Sequence, residues 1–286
     1  MSCDGNISLS STYIISAFCL ISFCLSIIVM LICLLKNILE SFTSRIIICM
    51  SINDAVCSLS LFLYIILAKF MNNCILLYSF YIGFMSNYVW ALYIAITLRE
   101  IIINKSSHNA NYFKYWLILA YPFLITLYTM PFITGSYLDK GEFCMLAETG
   151  IQSLWLYLLF IIPFYIFTII ILIILANIYF VCRKTDKNPL KTIVIKRGYI
   201  YPLLVLIIIV PESVARSIET FTNYCVSGDF TIFMLVLISS HGILNAITLV
   251  SNENIRRFLL NKSNTTIENI SVEGYSFLDM MNDVLT

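Results

Sequence analysis

Apolar residues gather in seven long runs, at about 13–35, 46–69, 74–98, 115–134, 151–182, 198–220 and 230–250, with six short polar breaks between them. A helix rises 1.5 Å per residue, so a run of roughly 20 residues spans the ~30 Å hydrocarbon layer of a bilayer. Hydrocarbon offers no partner to backbone N–H and C=O groups, so each run must satisfy its own as a helix. The pattern predicts an all-α membrane protein, a seven-transmembrane helix bundle over residues 13–250. An odd number of spans sets the two termini on opposite faces.

The flanks read differently. Residues 1–12 form a leader without Lys or Arg, and the run that follows is too long for a signal-peptide core, so it reads as a retained helix. After the seventh run, Asn252-Glu-Asn-Ile-Arg-Arg-Phe-Leu-Leu sets Ile255, Phe258 and Leu259 on one face and turns Arg256 and Arg257 away. That spacing predicts a short amphipathic eighth helix over 251–262, lying on the membrane surface. Residues 263–286 hold Glu268, Glu273, Asp279 and Asp283 but no basic residue, which predicts a disordered acidic tail. Ser263, Thr265, Thr266, Ser271 and Ser276 are its candidate phosphoacceptors.

Composition narrows the class. Hydrophobic residues make up 60% of the 286 and charged residues 12%, against roughly 25% charged in soluble domains. The net charge of +1 gives no reason to expect a nucleic-acid partner. Its distribution is more telling. With the N-terminus outside, fourteen Lys and Arg lie on the cytoplasmic side, among them Arg45, Arg99, Arg183, Lys184, Lys187, Lys191, Lys196, Arg197 and Lys262. Only Lys69, Lys140 and Arg216 lie opposite. The positive-inside rule then predicts an extracellular N-terminus and a cytoplasmic C-terminus. Asn6-Ile-Ser8 becomes a credible glycosylation acceptor, whereas Asn264-Thr-Thr266 and Asn269-Ile-Ser271 stay unmodified inside.

Four of the ten cysteines fall on the oxidising side: Cys3, Cys74, Cys144 and Cys225. A Cys74–Cys144 bridge would pin the longest outer loop across the bundle, and Cys3 with Cys225 is the candidate second pair. Four cysteines allow three connectivities, so sequence alone leaves the pairing open.

Polar residues inside spans are costly and mark candidate sites. Asp54, about two turns inside the cytoplasmic end of the second run, is one; Asn245 of the seventh lies at comparable depth. Two readings stand: a switch holding a cation (sodium) and water, or a hydrogen-bonded packing node. In the sixth run Glu212, Arg216 and Glu219 share a face beside Pro211. They form either a polar floor for an outside ligand or a pair of ions snorkelling at the headgroups. Pro211 removes a backbone donor and predicts a kink. His241 is a candidate ligand contact or a satisfied core histidine. Arg99 either locks a resting state and meets a cytoplasmic partner, or anchors the third run at the headgroups. For the basic connection between runs five and six, a partner protein and anionic lipid compete.

Four motifs carry a resemblance. Pro122…Pro131-Phe-Ile-Thr-Gly135-Ser-Tyr137…Gly141-Glu-Phe-Cys144, Trp155…Phe160-Ile-Ile-Pro163, Arg197-Gly-Tyr-Ile-Tyr-Pro202-Leu…Pro211…Arg216 and Gly242-Ile-Leu-Asn245-Ala246 follow one family's spacing. Over about residues 45–260 the chain resembles the cyclic-AMP receptor-like seven-helix receptors of protists, related to the secretin and adhesion groups. Met145 stands where that family commonly has an aromatic, and Ile209 or Val210 where it has tryptophan. The resemblance implies a plasma-membrane, G-protein-coupled receptor sensing an extracellular ligand. It also implies a heterotrimeric G protein as partner at the inner loops, where the candidate contacts are Arg99, Arg183, Lys184, Lys196 and Arg197.

Other classes fit less well. A seven-helix transporter or channel is the alternative, but no internal repeat is visible. A retinal protein needs a lysine in the last run, and none lies between Phe230 and Val250. A zinc hydrolase needs several His or acidic ligands, and the chain holds only His108 and His241 as histidines. No enzyme activity and no cofactor are expected.

Overall fold

The computed structural model describes residues 9–35, 42–67, 74–103, 112–139, 144–146, 154–184, 189–222 and 228–250, and within them the chain is almost entirely helical. α1 covers Leu9–Leu35, α2 Phe42–Leu67 and α3 Cys74–Ile103. α4 runs over Phe113–Ile133. α5 begins at Leu154–Leu156, passes through the π-helical turn Tyr157–Ile161 and continues as Ile162–Lys184. α6 is Pro189–Thr222, and α7 joins Gly228–Ser239 to His241–Val250 across a turn at Ser240. Two short strands, β1 (Tyr137–Asp139) and β2 (Cys144–Leu146), pair antiparallel between α4 and α5, with Asp139 opposite Cys144.

Six of the described helices are long and apolar enough to cross a membrane. The sequence predicts seven, and α6 makes the difference. Its apolar length is the shorter stretch Tyr199–Ala215. Lys191, Lys196 and Arg197 precede that stretch, because the helix already begins at Pro189. Those three basic residues therefore sit on a helix and not in a connecting loop, a correction to the sequence reading. α6 also runs unbroken through both Pro202 and Pro211. The predicted eighth helix and acidic tail, Asn6 and Cys3 of the leader, and Cys225 all lie outside the described residues, whereas residues 9–12, read as the end of the leader, already belong to α1.

The surface and the interior of the bundle have opposite characters. Ile14 and Leu20 of α1, Ile118 and Ile133 of α4, and Ile169 and Ile173 of α5 are exposed. Apolar faces of that extent suit hydrocarbon as solvent, compatible with a multi-pass membrane protein. α3 forms the centre and packs on α2, α4, α5 and α6. Ser86, Trp90, Ala91 and Ala95 along it are wholly buried. Aromatic contacts bind it to α5, with ring centroids 4.4 Å apart for Tyr81 and Phe160 and 4.8 Å for Tyr88 and Phe164.

Prolines explain two irregular helices. Pro163 has no N–H to give the Leu159 carbonyl, and the ladder of α5 widens to a π turn just before it. Tyr128 Oη of α4 donates to that carbonyl instead, at 2.9 Å. Pro122 sits within the matching π turn of α4, Leu119–Phe123. There Ser86 Oγ of α3 donates to the Ala120 carbonyl at 2.6 Å. Each irregular turn is thus tied by a side chain from a neighbouring helix.

α4 ends on Gly135, whose φ of +62° is the left-handed conformation that suits glycine at a helix C-terminus. Gly135 N–H donates to the Phe132 carbonyl and Ser136 N–H to that of Pro131, closing the helix with a Schellman pair. This turn leads directly into β1. Burial, together with Tyr81 and Tyr78, pushes the Tyr137 hydroxyl above its ordinary pKa and keeps it a neutral donor.

Candidate functional site

Asp54 lies more than three turns from Phe42, near the middle of α2. The sequence reading set it two turns deep because the apolar run starts four residues later than the helix. The side chain is 2% exposed. Three nitrogens from two other helices meet its carboxylate. Oδ1 accepts from Asn87 Nδ2 of α3 at 2.7 Å and is bonded to His241 Nδ1 of α7 at 2.6 Å. Oδ2 accepts from Asn245 Nδ2 of α7 at 2.6 Å. The contact between His241 Nδ1 and Asp54 Oδ1 is a hydrogen bond with the proton on either side: an ionised carboxylate accepts from Nδ1–H, and a protonated one donates to Nδ1.

Local structure aims these groups. At Ser240 the α7 ladder is shared, its N–H reaching both Val236 at 2.9 Å and Leu237 at 3.2 Å. The helix resumes at His241, and four-residue spacing then puts His241 and Asn245 on one face. Gly242 turns toward α1, where a Cβ would meet Ser22 Oγ and Ser26 Oγ at 2.5 Å. Only a hydrogen there lets α7 come close enough for its neighbours to reach Asp54. Ser58 Oγ of α2 donates to Ser22 Oγ at 3.0 Å, and Cys19 Sγ of α1 to Ser239 Oγ at 3.3 Å. Polar contacts therefore join α1, α2, α3 and α7 into one unit.

α6 meets this unit differently. A void of about 10 Å³ borders the centre, lined by Phe84, Asn87, Tyr88 and His241, with Val205 and Ile208 from α6. It is about the room one water needs. Asn87 Oδ1 and Tyr88 Oη are buried without a hydrogen-bond partner and belong to residues lining it. The α6 side of the void is apolar. The helix is instead bonded to α5, by Tyr165 Oη with Ser217 Oγ at 2.9 Å and by Tyr199 Oη donating to the Leu175 carbonyl.

The sequence candidates divide accordingly. Asp54, Asn245 and His241 come together, so His241 belongs with the buried carboxylate and not with Glu212. Asn87 is the residue that sequence reasoning missed. Its signal was present, since a polar Ser86-Asn87 pair inside the third run meets the same rule that singled out Asp54. Glu212 is half-buried on α6. The side chains of Arg216, Glu219, Lys184, Lys196 and Arg197 lie outside the described residues. Arg183 is exposed at the end of α5. Arg99 pairs with its neighbour Glu100 at 3.1 Å, with side chains 41% and 24% exposed. Such a pair contributes little to stability. Cys74 is disulfide-bonded, and the strand that carries Cys144 packs against α3.

Among the described residues no group of three or more His, Cys, Asp and Glu forms a metal cluster. A sodium ion at Asp54 would need oxygen lone pairs directed at it. Here nitrogens of Asn87, His241 and Asn245 face the carboxylate, while Asn87 Oδ1 and Asn245 Oδ1 are buried acceptors without a hydrogen-bond partner. No protein-family model matches the chain, and no curated protein matches it.

Proposed function

We propose that this protein is a seven-transmembrane receptor of the plasma membrane, with its N-terminus outside, that senses an extracellular ligand and activates a heterotrimeric G protein. The observation that carries this reading is the contrast around Asp54. Hydrogen bonds lock α2, α3 and α7 together, while the described α6 side chains that line the void beside that centre, Val205 and Ile208, are apolar. Apolar contacts have no fixed direction and survive sliding, so α6 can shift against the locked unit at low cost. In this reading Tyr199–Ala215 serves as the seventh span, its flanking charges snorkelling to the interface.

A ligand entering from outside meets Glu212, half-buried on α6. It acts by binding the shifted arrangement more tightly than the resting one. At the inner face the moving end of α6 carries Lys191, Lys196 and Arg197, which with Arg99, Arg183 and Lys184 offer a basic surface to the G protein and to anionic lipid. The Cys74 bridge, closed onto Cys144, holds the outer hairpin over the bundle, and residues 251–262 form the eighth helix. The reading assigns no catalytic chemistry.

A ligand screen in cells with a G-protein activation readout tests this function. Ligand-dependent activation that disappears without the G protein is the expected result. Ligand-driven movement of an ion or solute that persists without it would make the chain a transporter or channel.

A further inference from the structure

A buried carboxylate in a membrane bundle needs a counter-charge, and the usual sources are a lysine, an arginine or a bound cation. Neither Lys nor Arg is among the partners of Asp54; these are Asn87, His241 and Asn245. Of the three, only His241 can carry a full positive charge. Its Nδ1 stands 2.6 Å from Oδ1, at the short end for a hydrogen bond between ionised partners. The two asparagine amides donate to the same carboxylate at 2.7 and 2.6 Å, and their Nδ2 atoms stand 3.4 and 3.3 Å from His241 Nδ1. The imidazole thus occupies the position where a cation would otherwise balance the charge.

Among the described side chains, the surroundings supply no rival counter-charge. α1 presents Ser22 and Ser26 to the backbone beside His241. α2 adds Cys57 and α3 adds Tyr88, which are neutral as a thiol and a phenol, and the described α6 residues at the void are Val205 and Ile208. We propose that His241 is the resident cation of the Asp54 centre: a protonated imidazole, bonded through Nδ1–H, neutralises the carboxylate, and the site takes up a proton in place of a metal ion. The inference stands on this geometry and does not depend on the receptor reading.

The chain has two histidines, which makes the test direct. Full-length protein carrying His108→Gln, labelled with ¹⁵N in histidine and held in lipid nanodiscs, gives one imidazole. The expected spectrum shows protons on both ring nitrogens at neutral pH, with the Nδ1 signal shifted by Asp54→Asn. A neutral ring, or a signal indifferent to Asp54→Asn, overturns the proposal. A second arm needs no variant. Thermal unfolding of the wild-type protein in sodium chloride and in choline chloride of equal ionic strength should give one midpoint. A saturable stabilisation specific to sodium overturns the proposal whatever the spectrum shows. His241→Gln, which removes the charge, should make the midpoint rise with sodium; its failure to fold leaves the spectroscopic arm and the wild-type arm decisive.

Discussion

At Asp54 a single carboxylate collects partners from two neighbouring helices, so deleting Asn245 leaves Oδ2 buried and unpaired, and deleting Asn87 leaves Oδ1 with one bond in place of two. Loss of a buried partner costs about 1–3 kcal/mol, more when the partner left behind is charged. Asn87→Leu and Asn245→Leu should each lower the thermal midpoint of the detergent-solubilised protein by that order of free energy. Together they should show a coupling energy of about 0.5–3 kcal/mol, because both act on the same carboxylate. Purely additive losses would mean that the two amides do not share it. Gly242 gives a second prediction at this scale. Gly242→Ala forces a methyl into two serine hydroxyls at 2.5 Å, and overpacking of this kind costs about 1–3 kcal/mol. Ser22→Ala with Ser26→Ala should recover part of the loss, since the backbone oxygen of Ser22, at 3.1 Å, still resists. Asp54 and Asn245 were legible in the sequence because charge and amide inside apolar runs are rare. His241 was visible but its partner was not. A lone histidine carries no record of which helix it faces.

Proline irregularities act on whole helices. Tyr128 and Ser86 each bond a carbonyl in a π turn of the neighbouring helix. Tyr128→Phe, which keeps the ring and drops the hydroxyl, should therefore destabilise by about 1 kcal/mol and raise amide exchange in residues 157–161 before the rest of α5. Uniform exchange along α5 would show that the bond does not support the turn. The two tyrosine bonds between α5 and α6 make these helices move as a pair. Tyr165→Phe with Tyr199→Phe should broaden the spin-label distances between α5 and α6, while the distances within α2, α3 and α7 remain narrow. Helix extents were read well where a run is uniformly apolar, as in α1, which begins at Leu9 and ends at Leu35 as the run does at its far end. They were read poorly at α6. Its first ten residues are polar enough to pass for a loop, yet they form helix because a helix continues wherever its backbone can bond, with or without hydrocarbon around it.

For the molecule as a whole, the receptor reading makes two measurable demands. Glycan mapping should find a sugar on Asn6 and none on Asn264 or Asn269. A sugar on either of the latter would reverse the orientation drawn from the Lys and Arg count. Distances between a label at residue 196 and one on α2 should lengthen with a functional agonist, as α6 slides on Val205 and Ile208. Distances that stay fixed while the G protein responds would move the switch elsewhere in the bundle.

Apolar runs of span length, and the asymmetry of charge between their connections, determine on their own that most of this chain is helix suited to hydrocarbon. That much is local: backbone hydrogen bonds and transfer free energy depend on residues near one another in the chain. Which polar groups meet is not local. Asp54 and His241 are 187 positions apart, and only the packing of α7 on α1 and α2 brings them to 2.6 Å. The tertiary structure alone decided that the buried carboxylate has three partners, that Asn87 is among them, and that the described α6 side chains bordering the centre are apolar.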